Sequence, residues 1–473
     1  MRCLRRWRWC WPCDSPLVSR AFDAIIIGAG QAGPPLAERL TAAGMQVALI
    51  ERKLVGGTCV NTGCMPTKTL VASAYAAHLA RRGAEYGVTT GEIGIDMKTV
   101  AARAHRVVMD ARSGNEHMLD SMAGLTFLRG HARFTAPDTI SANGEDLAAP
   151  RIFLNVGGRA LVPEMPGVGE VPHLDNTDMV ALDVVPGHLV VVGGSYVGLE
   201  FAQMYRRFGA AVTIVERGER LISHEDADIS DAVREILEDE GIVVRTGANC
   251  IGFQPHPYGV SVSVDCASGE PAVIGSHVLL AVGRRPNTAD LGLDLAGVVM
   301  DKRGYVTVDD TLRTNVPGIW ALGDCNGRGA FTHTAYNDFE IVAANLLDGD
   351  DRKVSQRLSG YALYTDPPLG RVGMSETEAR KTGRSVLVSK RSMTRVGRAV
   401  EKGETNGFIK IVADADTQRI LGAAILGTGG DEAIHGILDM MQADQPIAAL
   451  RWAVPIHPTV SELIPTVLLG LKP

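Results

Sequence analysis

Two cysteines in a glycine-rich segment, Cys59 and Cys64, carry the pattern that most directly suggests redox chemistry. They lie five positions apart in the run Gly56-Gly57-Thr58-Cys59-Val60-Asn61-Thr62-Gly63-Cys64-Met65-Pro66-Thr67-Lys68. On a regular helix five residues correspond to about 7.5 Å of rise, whereas a disulfide needs Cα atoms about 4.4–6.8 Å apart. The thiols can therefore pair only if the helix is distorted, and Gly63 supplies freedom for that distortion. Strain of this kind makes a disulfide easier to reduce. Two unpaired structural cysteines are the alternative.

Nucleotide chemistry is indicated by a glycine-rich turn between two predicted strands. Phe22–Ile27 is an apolar run typical of a buried strand, and it leads directly into Gly28-Ala29-Gly30-Gln31-Ala32-Gly33. A helical stretch follows to Ala43, and a second strand, Gln46–Ile50, comes after it. This order of strand, turn, helix and strand is the context that a dinucleotide-binding fingerprint requires.

Each position of the fingerprint has a physical role. Gly28 permits the tight turn, Gly30 lets the backbone approach a pyrophosphate, and Gly33 lets the helix pack on the strand. The N–H groups at the helix start bind phosphates. Glu51 follows the second strand, where its carboxylate can accept a hydrogen bond from a ribose hydroxyl.

The same pattern recurs 165 residues later, where Gly193, Gly198 and Glu216 stand at the equivalent positions. The predicted strand His188–Val192 precedes the second turn, and Ala211–Val215 precedes the second acid. One such turn is weak evidence, but two copies with the same acid spacing predict two nucleotide sites.

The second fingerprint departs from the first at one position, since Ser195 stands where Gly30 has its counterpart. A serine crowds the pyrophosphate slightly, which suits a diffusible nicotinamide substrate better than a resident cofactor. Glu216 favours NAD because a carboxylate repels a 2′-phosphate. Arg217 and Arg220 could receive that phosphate, so both NADH and NADPH stay open.

Composition sets the wider class. The chain has 473 residues, 45% of them hydrophobic and 21% charged, which is enough for several globular domains. The net charge of −7 argues against a nucleic-acid partner. No stretch approaches about 18 uninterrupted apolar residues, so no membrane span is predicted. Eight cysteines are too sparse for a disulfide-stapled secreted scaffold. We predict a soluble, cytoplasmic protein without a resident metal.

The N-terminal segment 1–20 is predicted to be a disordered or mis-started tail. Met1–Cys13 holds four arginines and three tryptophans but lacks the apolar region of a secretory signal. Cys10 and Cys13 resemble a redox pair, yet such a pair needs a strand before it and a helix start to hold it. A targeting peptide or an accessory thiol site is the alternative.

The run GGTCxNxGCxPxK, flanked by two fingerprints, resembles the pyridine nucleotide–disulfide oxidoreductases, which include dihydrolipoamide dehydrogenase, glutathione reductase and mercuric reductase. The resemblance covers Phe22 to nearly Pro473. It implies an α/β fold with two Rossmann-like FAD/NAD(P)-binding domains and a C-terminal α+β dimerisation domain. The implied division assigns 21–165 and 290–355 to the FAD domain, 166–289 to the NAD(P) domain and 356–473 to the interface domain.

This resemblance implies FAD at the first fingerprint and NADH or NADPH, as substrate, at the second. Cys64 would be the thiolate in contact with the flavin, and Cys59 the interchange thiol that faces the acceptor. Lys68 and Glu200 match an ion pair near the reactive edge of the flavin. Tyr196 matches an aromatic gate that swings aside for nicotinamide. Further cofactor contacts are implied at Gly57, Thr58, Lys68, Gly130, His131, Ala132, Asn155, Val156, Gly157, Gly283 and Asp324.

Near the end of the chain, Pro455-Ile456-His457-Pro458-Thr459-Val460-Ser461-Glu462 matches the HPTxSE motif of the family. The resemblance implies a homodimer in which this pair acts across the interface. Glu462 would orient the imidazole, and His457 would carry a proton to and from the substrate thiol or Cys59.

Two features bear on the electron acceptor. The segments around Phe331, His333 and Tyr364 are more similar to the mercuric reductase-like branch, which includes reactive-chlorine-resistance reductases. In that branch Phe331 and His333 would lie near the far side of the flavin. Established mercuric reductases carry a C-terminal pair of vicinal cysteines, whereas no cysteine follows Cys325 here, which argues against full Hg(II) reductase activity.

The acceptor is therefore expected to be a thiol/disulfide compound or a soft metal ion such as Hg(II) or Cu(II). A dihydrolipoamide dehydrogenase-type disulfide reductase is the alternative within the family. From another class, the chain could be a flavin redox sensor without turnover. The set Lys68, Glu200, His457 and Glu462 argues against a sensor, which would not need a proton relay.

Overall fold

The computed structural model describes residues 20–265 and 269–473. The predicted tail with Cys10 and Cys13, and also Cys266, lie outside the described residues. The chain forms two compact units. One unit comprises the residues up to Val55, Met118–Val156 and Asn287–Asp351; the other comprises Gly56–His117, Gly157–Pro286 and Arg352–Pro473.

The first unit is built on a parallel sheet of five strands. In spatial order these are Ile319–Ala321, Ile152–Leu154, Ala24–Ile27, Val47–Glu51 and Leu125–Arg129. Strands such as Ala24–Ile27 are apolar at every position and buried throughout, as a sheet covered on both faces requires. The helices Gly33–Ala42 and Thr332–Ala343 belong to this unit, as does a smaller sheet of Arg20–Ala21, Glu145–Ala148, Thr139–Ala142 and Ala132–Ala136.

The second unit contains another parallel sheet, of four strands. Their order is Val243–Arg245, Ala211–Val215, His188–Val192 and His277–Leu280. The amphipathic helices Tyr196–Phe208 and Ala227–Asp239 accompany this sheet. The same unit also contains a separate antiparallel sheet of three strands, Gly252–His256, Gly259–Ser263 and Ala272–Gly275.

The C-terminal part of the second unit changes to an antiparallel sheet. Its five strands are, in order, Gly360–Leu363, Leu369–Gly373, Arg419–Leu426, Phe408–Asp414 and Val386–Ser392. Short helices accompany the sheet, at Glu376–Lys381, Gly397–Glu401, Gly430–Ala433, His435–Gln442, Ile447–Arg451 and Ile464–Leu469. Two parallel α/β sheets followed by an α+β region are the fold class that the sequence predicted.

The cysteine motif spans two helices of the second unit, Gly57–Thr62 and the start of Cys64–Arg81. A third helix, Met97–Ser121, contacts the motif through Arg112, whose Nε donates to Asn61 Oδ1 at 2.7 Å. Leu70 and Ala74 of the second helix pack in one core cluster with Leu199 and Ala202. This packing fixes the helix that carries Cys64 against the helix of the second fingerprint. Within the described ranges, no helix is both long and apolar enough to cross a membrane.

Candidate active site

The cysteine motif lies where one helix stops and the next begins. Gly57–Thr62 ends at Gly63, whose φ of −129° and ψ of −118° break the helix, and Cys64–Arg81 follows directly. A Cβ on Gly63 would lie 2.8 Å from the carbonyl oxygen of Thr58 and 3.3 Å from the Cα of Cys59. Only glycine allows this approach. The predicted helix distortion is therefore confirmed, and it brings the chain at Gly63–Cys64 back against Cys59.

The two cysteines differ in exposure, since Cys59 is partly buried and Cys64 is exposed. Thr58 Oγ1 lies 3.5 Å from the carbonyl oxygen of Gly158, and Gly57 has a positive φ of 61° at the start of the first helix. A glycine is required there because L side chains are strained in this conformation. These contacts place Gly57 and Thr58 on the turn that opens the redox motif.

Lys68 and Glu200 form an ion pair beside the motif. Lys68 Nζ lies 2.8 Å from Glu200 Oε2, and the carboxylate is 5% exposed. The second oxygen, Oε1, accepts a hydrogen bond of 3.0 Å from the backbone N–H of Tyr364. The ammonium of Lys68 also lies 4.5 Å from the centroid of the Tyr364 ring. The buried carboxylate is thus satisfied at both oxygens, and the ammonium is held by a charge and by an aromatic face.

The first nucleotide turn is as tight as the fingerprint requires. Gly28 has a φ of +108°, and a Cβ there would lie 2.2 Å from the carbonyl oxygen of Asn155. A Cβ on Gly33 would lie 2.2 Å from the carbonyl oxygen of Gly28. At Gly30 a Cβ would lie 2.9 Å from Asn155 Oδ1. The turn therefore excludes side chains at all three glycines, as close approach of a dinucleotide demands.

Asn155 ties the turn to a second segment of the same unit. Its Oδ1 accepts a 3.1 Å hydrogen bond from the Gly33 N–H, and its Nδ2 donates to the carbonyl oxygen of Leu322 at 3.2 Å. Asp324 follows in the 3₁₀ turn Gly323–Asn326. One buried amide side chain thus orders both the fingerprint and the turn that carries Asp324.

The two fingerprints repeat each other in their hydrogen bonds as well as in sequence. Glu51 accepts from the N–H groups of Ala29 at 2.8 Å and Lys53 at 2.7 Å. Glu216 accepts from those of Gly194 at 2.5 Å and Gly218 at 2.6 Å. The acid and both donors of the second fingerprint each lie 165 positions after their counterparts in the first. Each acid is fixed at the end of its strand, in the position expected for a ribose contact.

The second turn has equally close backbone packing. Gly193 has a φ of +116°, and its Cβ would lie 2.4 Å from the carbonyl oxygen of Ala281. A Cβ on Gly198 would lie 2.1 Å from the carbonyl oxygen of Gly193. Gly283, near this site, has a φ of +127°. Arg217 is exposed beside Glu216.

Tyr196 begins the helix that follows the second turn. Its ring packs edge-on against Tyr361 at a centroid distance of 5.2 Å, and burial raises the pKa of its hydroxyl. The Tyr361 hydroxyl donates to Glu225 Oε1, and Arg371 lies 3.8 Å from the same oxygen. Sequence reasoning missed Tyr361 and Glu225, because neither belongs to a motif.

Three of the remaining predicted cofactor contacts lie beside strand ends, His131 and Ala132 in the first unit and Gly157 in the second. His131 Nε2 lies 3.1 Å from the carbonyl oxygen of Asp290, and Ala132 is buried at the start of its strand. Asp290 pairs with Arg52 at 2.6 Å. Burial opposes ionisation of Asp290, but Arg52 outweighs it and lowers the pKa. Gly157 has a φ of +62° with open space where its Cβ would be.

Asp338 is a third residue that was not among the predicted site residues. Its Oδ2 accepts hydrogen bonds of 2.8 Å from the Gly323 N–H and from Asn326 Nδ2, and the residue is 2% exposed. It therefore shapes the turn that carries Asp324. Cys325 is fully buried next to Asp324, as a structural cysteine would be. Phe331 and His333 stack with centroids 5.3 Å apart.

His457 and Glu462 form a pair near the end of the chain. His457 Nδ1 lies 2.8 Å from Glu462 Oε2. The segment before it exposes three apolar side chains, Trp452 at 76%, Val454 at 95% and Ile456 at 80%. Exposed apolar residues of this size in one segment are typical of a protein interface.

Comparison with known proteins places these features in a family. The family model described as pyridine nucleotide-disulphide oxidoreductase matches residues 22–338, and the model of its dimerisation domain matches residues 360–468. The latter match supports a homodimer.

Three relatives illustrate the range of the family. The probable pyridine nucleotide-disulfide oxidoreductase RclA of Escherichia coli is 35% identical over 449 residues, which cover 93% of this chain and 97% of that protein. The mercuric reductase of Bacillus cereus is 31% identical, covering 93% and 70%. The dihydrolipoyl dehydrogenase of Thermus scotoductus is 33% identical, covering 94% and 96%.

Solved structures agree with this assignment. The HOCl-induced flavoprotein disulfide reductase RclA from Escherichia coli matches with a TM-score of 0.86 at 34% identity, over 94% of this chain and 99% of that one. Its Cu(II) complex matches with a TM-score of 0.85. The chain therefore belongs to the pyridine nucleotide-disulphide oxidoreductases, as a flavoprotein enzyme that uses FAD and NADH or NADPH.

Proposed function

We propose that this chain uses NADH or NADPH to reduce a Cys59–Cys64 disulfide and that the resulting dithiol reduces an external acceptor. Bound FAD supplies the hydride-accepting chemistry. The balance is one NAD(P)H and one proton consumed for each disulfide converted to two thiols. The observation that carries the proposal is the helix break at Gly63, which turns the chain back on Cys59 directly before Cys64.

The cysteines have separate roles in this scheme. Cys59 is the interchange thiol, which attacks the acceptor, and Cys64 is the thiol on the flavin side. Lys68 lies one helical turn after Cys64 and on the same helix face, so its ammonium favours the thiolate form. Glu200 fixes that ammonium. The two acids of the fingerprints, Glu51 and Glu216, bind ribose hydroxyls.

We propose that the working form is a homodimer and that His457 acts across its interface. The exposed apolar side chains before His457 supply a surface for a second copy. Glu462 holds Nδ1, so Nε2 faces outward to exchange a proton with a thiol. We also propose the predicted division into an N-terminal tail, an FAD domain, an NAD(P) domain and an interface domain. The other predicted cofactor residues would contact FAD or the nicotinamide nucleotide.

A soft metal ion is the first candidate acceptor. Mercuric reductases are among the relatives, and RclA has been solved as a Cu(II) complex. A pair of thiolates is a good ligand set for such ions. Two electrons from the dithiol reduce one Hg(II) to the metal, or two Cu(II) to two Cu(I), while the Cys59–Cys64 disulfide re-forms and its two thiol protons are released to solvent.

A small disulfide is the second candidate, and the His457–Glu462 pair favours it. Reduction of a disulfide releases a thiolate that must be protonated, and an outward-facing imidazole can supply that proton. A metal ion needs no such proton. A dihydrolipoamide dehydrogenase-type activity is one form of this candidate.

The test is oxidation of NADH and of NADPH by the FAD-loaded protein with lipoamide, glutathione disulfide, Hg(II) with excess thiol, and Cu(II). We expect Cys59→Ser to abolish acceptor reduction while nicotinamide-dependent bleaching of the flavin continues. Cys250→Ser is the matched control, since Cys250 is exposed in the same unit but outside the motif. Unchanged turnover in the Cys59 variant would rule out the thiol relay. Absence of turnover with every acceptor would favour the redox sensor.

A further inference from the structure

Tyr364 contacts both members of the Lys68–Glu200 pair, although it is far from them in sequence. Its backbone N–H donates to Glu200 Oε1 at 3.0 Å, and its ring lies under the Lys68 ammonium at 4.5 Å. The carboxylate holds the ammonium from one side at 2.8 Å. One residue thus positions the anion through its backbone and the cation through its side chain.

The surroundings of Tyr364 place it next to the redox motif as well. Burial raises the pKa of its hydroxyl, and the charges of Asp431, Glu200 and Cys64 raise it further. The phenol is therefore neutral at physiological pH. Cys64 and Lys68 are four residues apart on one helix, so they lie on the same helix face.

The side chain of Lys68 is exposed enough to adopt several conformations unless other groups fix its ammonium. Its side chain is 34% exposed, whereas that of Glu200 is 5% exposed. A long lysine side chain at that exposure loses conformational entropy when it is fixed in one place. A single ion pair at a partly exposed site contributes little. The ring face of Tyr364 supplies a second contact, which limits the positions open to the ammonium.

We propose that Tyr364 is a positioning residue that holds the Lys68 ammonium beside Cys64 and thereby stabilises the thiolate form of Cys64. This inference rests on the proposed role of Cys64 as a redox thiol. In this proposal the aromatic face of Tyr364, and not its hydroxyl, holds the ammonium. Phenylalanine can therefore replace Tyr364, whereas leucine cannot.

The experiment measures alkylation of Cys64 by iodoacetamide against pH, in the FAD-loaded Cys59→Ser protein, by mass spectrometry of the Cys64 peptide. Tyr364→Leu should slow alkylation at pH 7 by about threefold to tenfold, the range that loss of one cation–π contact gives. The midpoint of the pH profile should move upward. Tyr364→Phe should stay within about twofold of the parent. Lys68→Met gives the rate of Cys64 alkylation when the ammonium is removed completely.

Two controls separate positioning from general loosening of the fold. Cys250, exposed in the same unit, reports alkylation in the same sample and should react at an unchanged rate. Tyr86 also places its ring beside a cation, since the guanidinium of Arg82 lies 5.5 Å from the ring centroid. Tyr86→Leu removes that ring and should leave the rate of Cys64 alkylation unchanged.

Slow alkylation in the Lys68 variant but not in the Tyr364→Leu variant would overturn the inference, because Glu200 alone would then hold the ammonium. Equal slowing in the leucine and phenylalanine variants would overturn it too. These outcomes are independent of the proposed function, which is decided by acceptor reduction and not by alkylation.

Discussion

His457 and Glu462 form a hydrogen-bonded pair in which one side chain is open to solvent and the other is covered. Nδ1 of the imidazole lies 2.8 Å from Oε2, with 81% of the His457 side chain and 12% of the Glu462 side chain exposed. The backbone of Glu462 is itself fixed by a hydrogen bond of 3.2 Å to Thr459 Oγ1. The covered carboxylate therefore orients an imidazole whose Nε2 faces outward.

This geometry predicts an acceptor-dependent effect of His457→Gln. With lipoamide or glutathione disulfide, kcat should fall by about 10²- to 10⁴-fold, the usual value of a general acid–base. With Cu(II) it should change by less than about threefold, because no proton transfer to a leaving thiolate is needed. Steady-state kinetics with both acceptors check this. His256→Gln, in a hairpin outside the site, is the control. Equal losses with both acceptors would contradict the proton-transfer role.

Gly63→Ala is expected to damage the redox motif directly. The added Cβ would meet the Thr58 carbonyl oxygen at 2.8 Å and the Cys59 Cα at 3.3 Å, so the two helices must separate. We expect a loss of about 1–3 kcal/mol in the free energy of unfolding and slower re-formation of the disulfide after reduction. Urea denaturation and thiol titration over time measure the two effects.

Gly114→Ala is the matched control for that variant. Gly114 lies inside the helix Met97–Ser121, and a Cβ there meets nothing within 4 Å. This substitution should stabilise the protein by about 0.5–1 kcal/mol, because alanine loses less entropy than glycine in a helix. A Gly63 variant that behaves like the Gly114 variant would show that the break tolerates a side chain.

Local patterns predicted those parts of the fold that local physics determines. The strand His188–Val192 was predicted with its observed bounds, and the helix distortion was predicted from the five-residue spacing of the cysteines, if they pair, and from the glycine between them. Both depend only on residues adjacent in sequence. The first predicted strand, Phe22–Ile27, is shorter in the structure, where it begins at Ala24.

Local sequence patterns could not predict contacts between segments that are distant in the chain. The sequence marks Tyr364 only as part of a segment that differs from the lipoamide and glutathione enzymes, yet Tyr364 contacts Lys68 and Glu200. Asp338 orders the turn at Gly323 from a separate helix. No periodicity or motif marks a side chain that acts through tertiary packing, since its partners are set by how several elements meet. The acid pair Glu51 and Glu216 was predictable because the repeat itself is in the sequence.

Nucleotide preference can be tested at the second fingerprint. Glu216 is held by two backbone N–H groups, and a carboxylate at this position of a fingerprint repels a 2′-phosphate. We therefore expect a lower KM for NADH than for NADPH. Replacement of either exposed arginine, Arg217 or Arg220, by alanine should raise the KM for NADPH about tenfold, the loss of one charge-assisted contact. The KM for NADH should not change. Equal increases for both nucleotides would contradict a phosphate-specific role of these arginines.

A buried ionic cluster in the second unit predicts how stability depends on acid pH. Asp226 is 5% exposed and lies 3.1 Å from Lys410 Nζ, which is 4% exposed. Its Oδ1 accepts from the Thr377 hydroxyl at 2.7 Å and its Oδ2 from the Glu376 N–H at 2.9 Å. Burial alone would raise the pKa of Asp226, but these hydrogen bonds and Lys410 outweigh it and lower the pKa to about 2.

Because the pKa of Asp226 is lower in the folded chain than in the unfolded one, its contribution to stability is complete above about pH 4 and disappears as the pH falls towards 2. A shift from 3.8 to about 2 corresponds to about 2 kcal/mol. Asp226→Asn should therefore unfold at lower urea concentration at pH 6, and its midpoint should approach that of the parent near pH 2. Asp231→Asn, at an exposed position of the neighbouring helix, should follow the parent at every pH. A constant difference between the Asp226 variant and the parent from pH 6 to pH 2 would mean that packing, and not the charge, accounts for the loss.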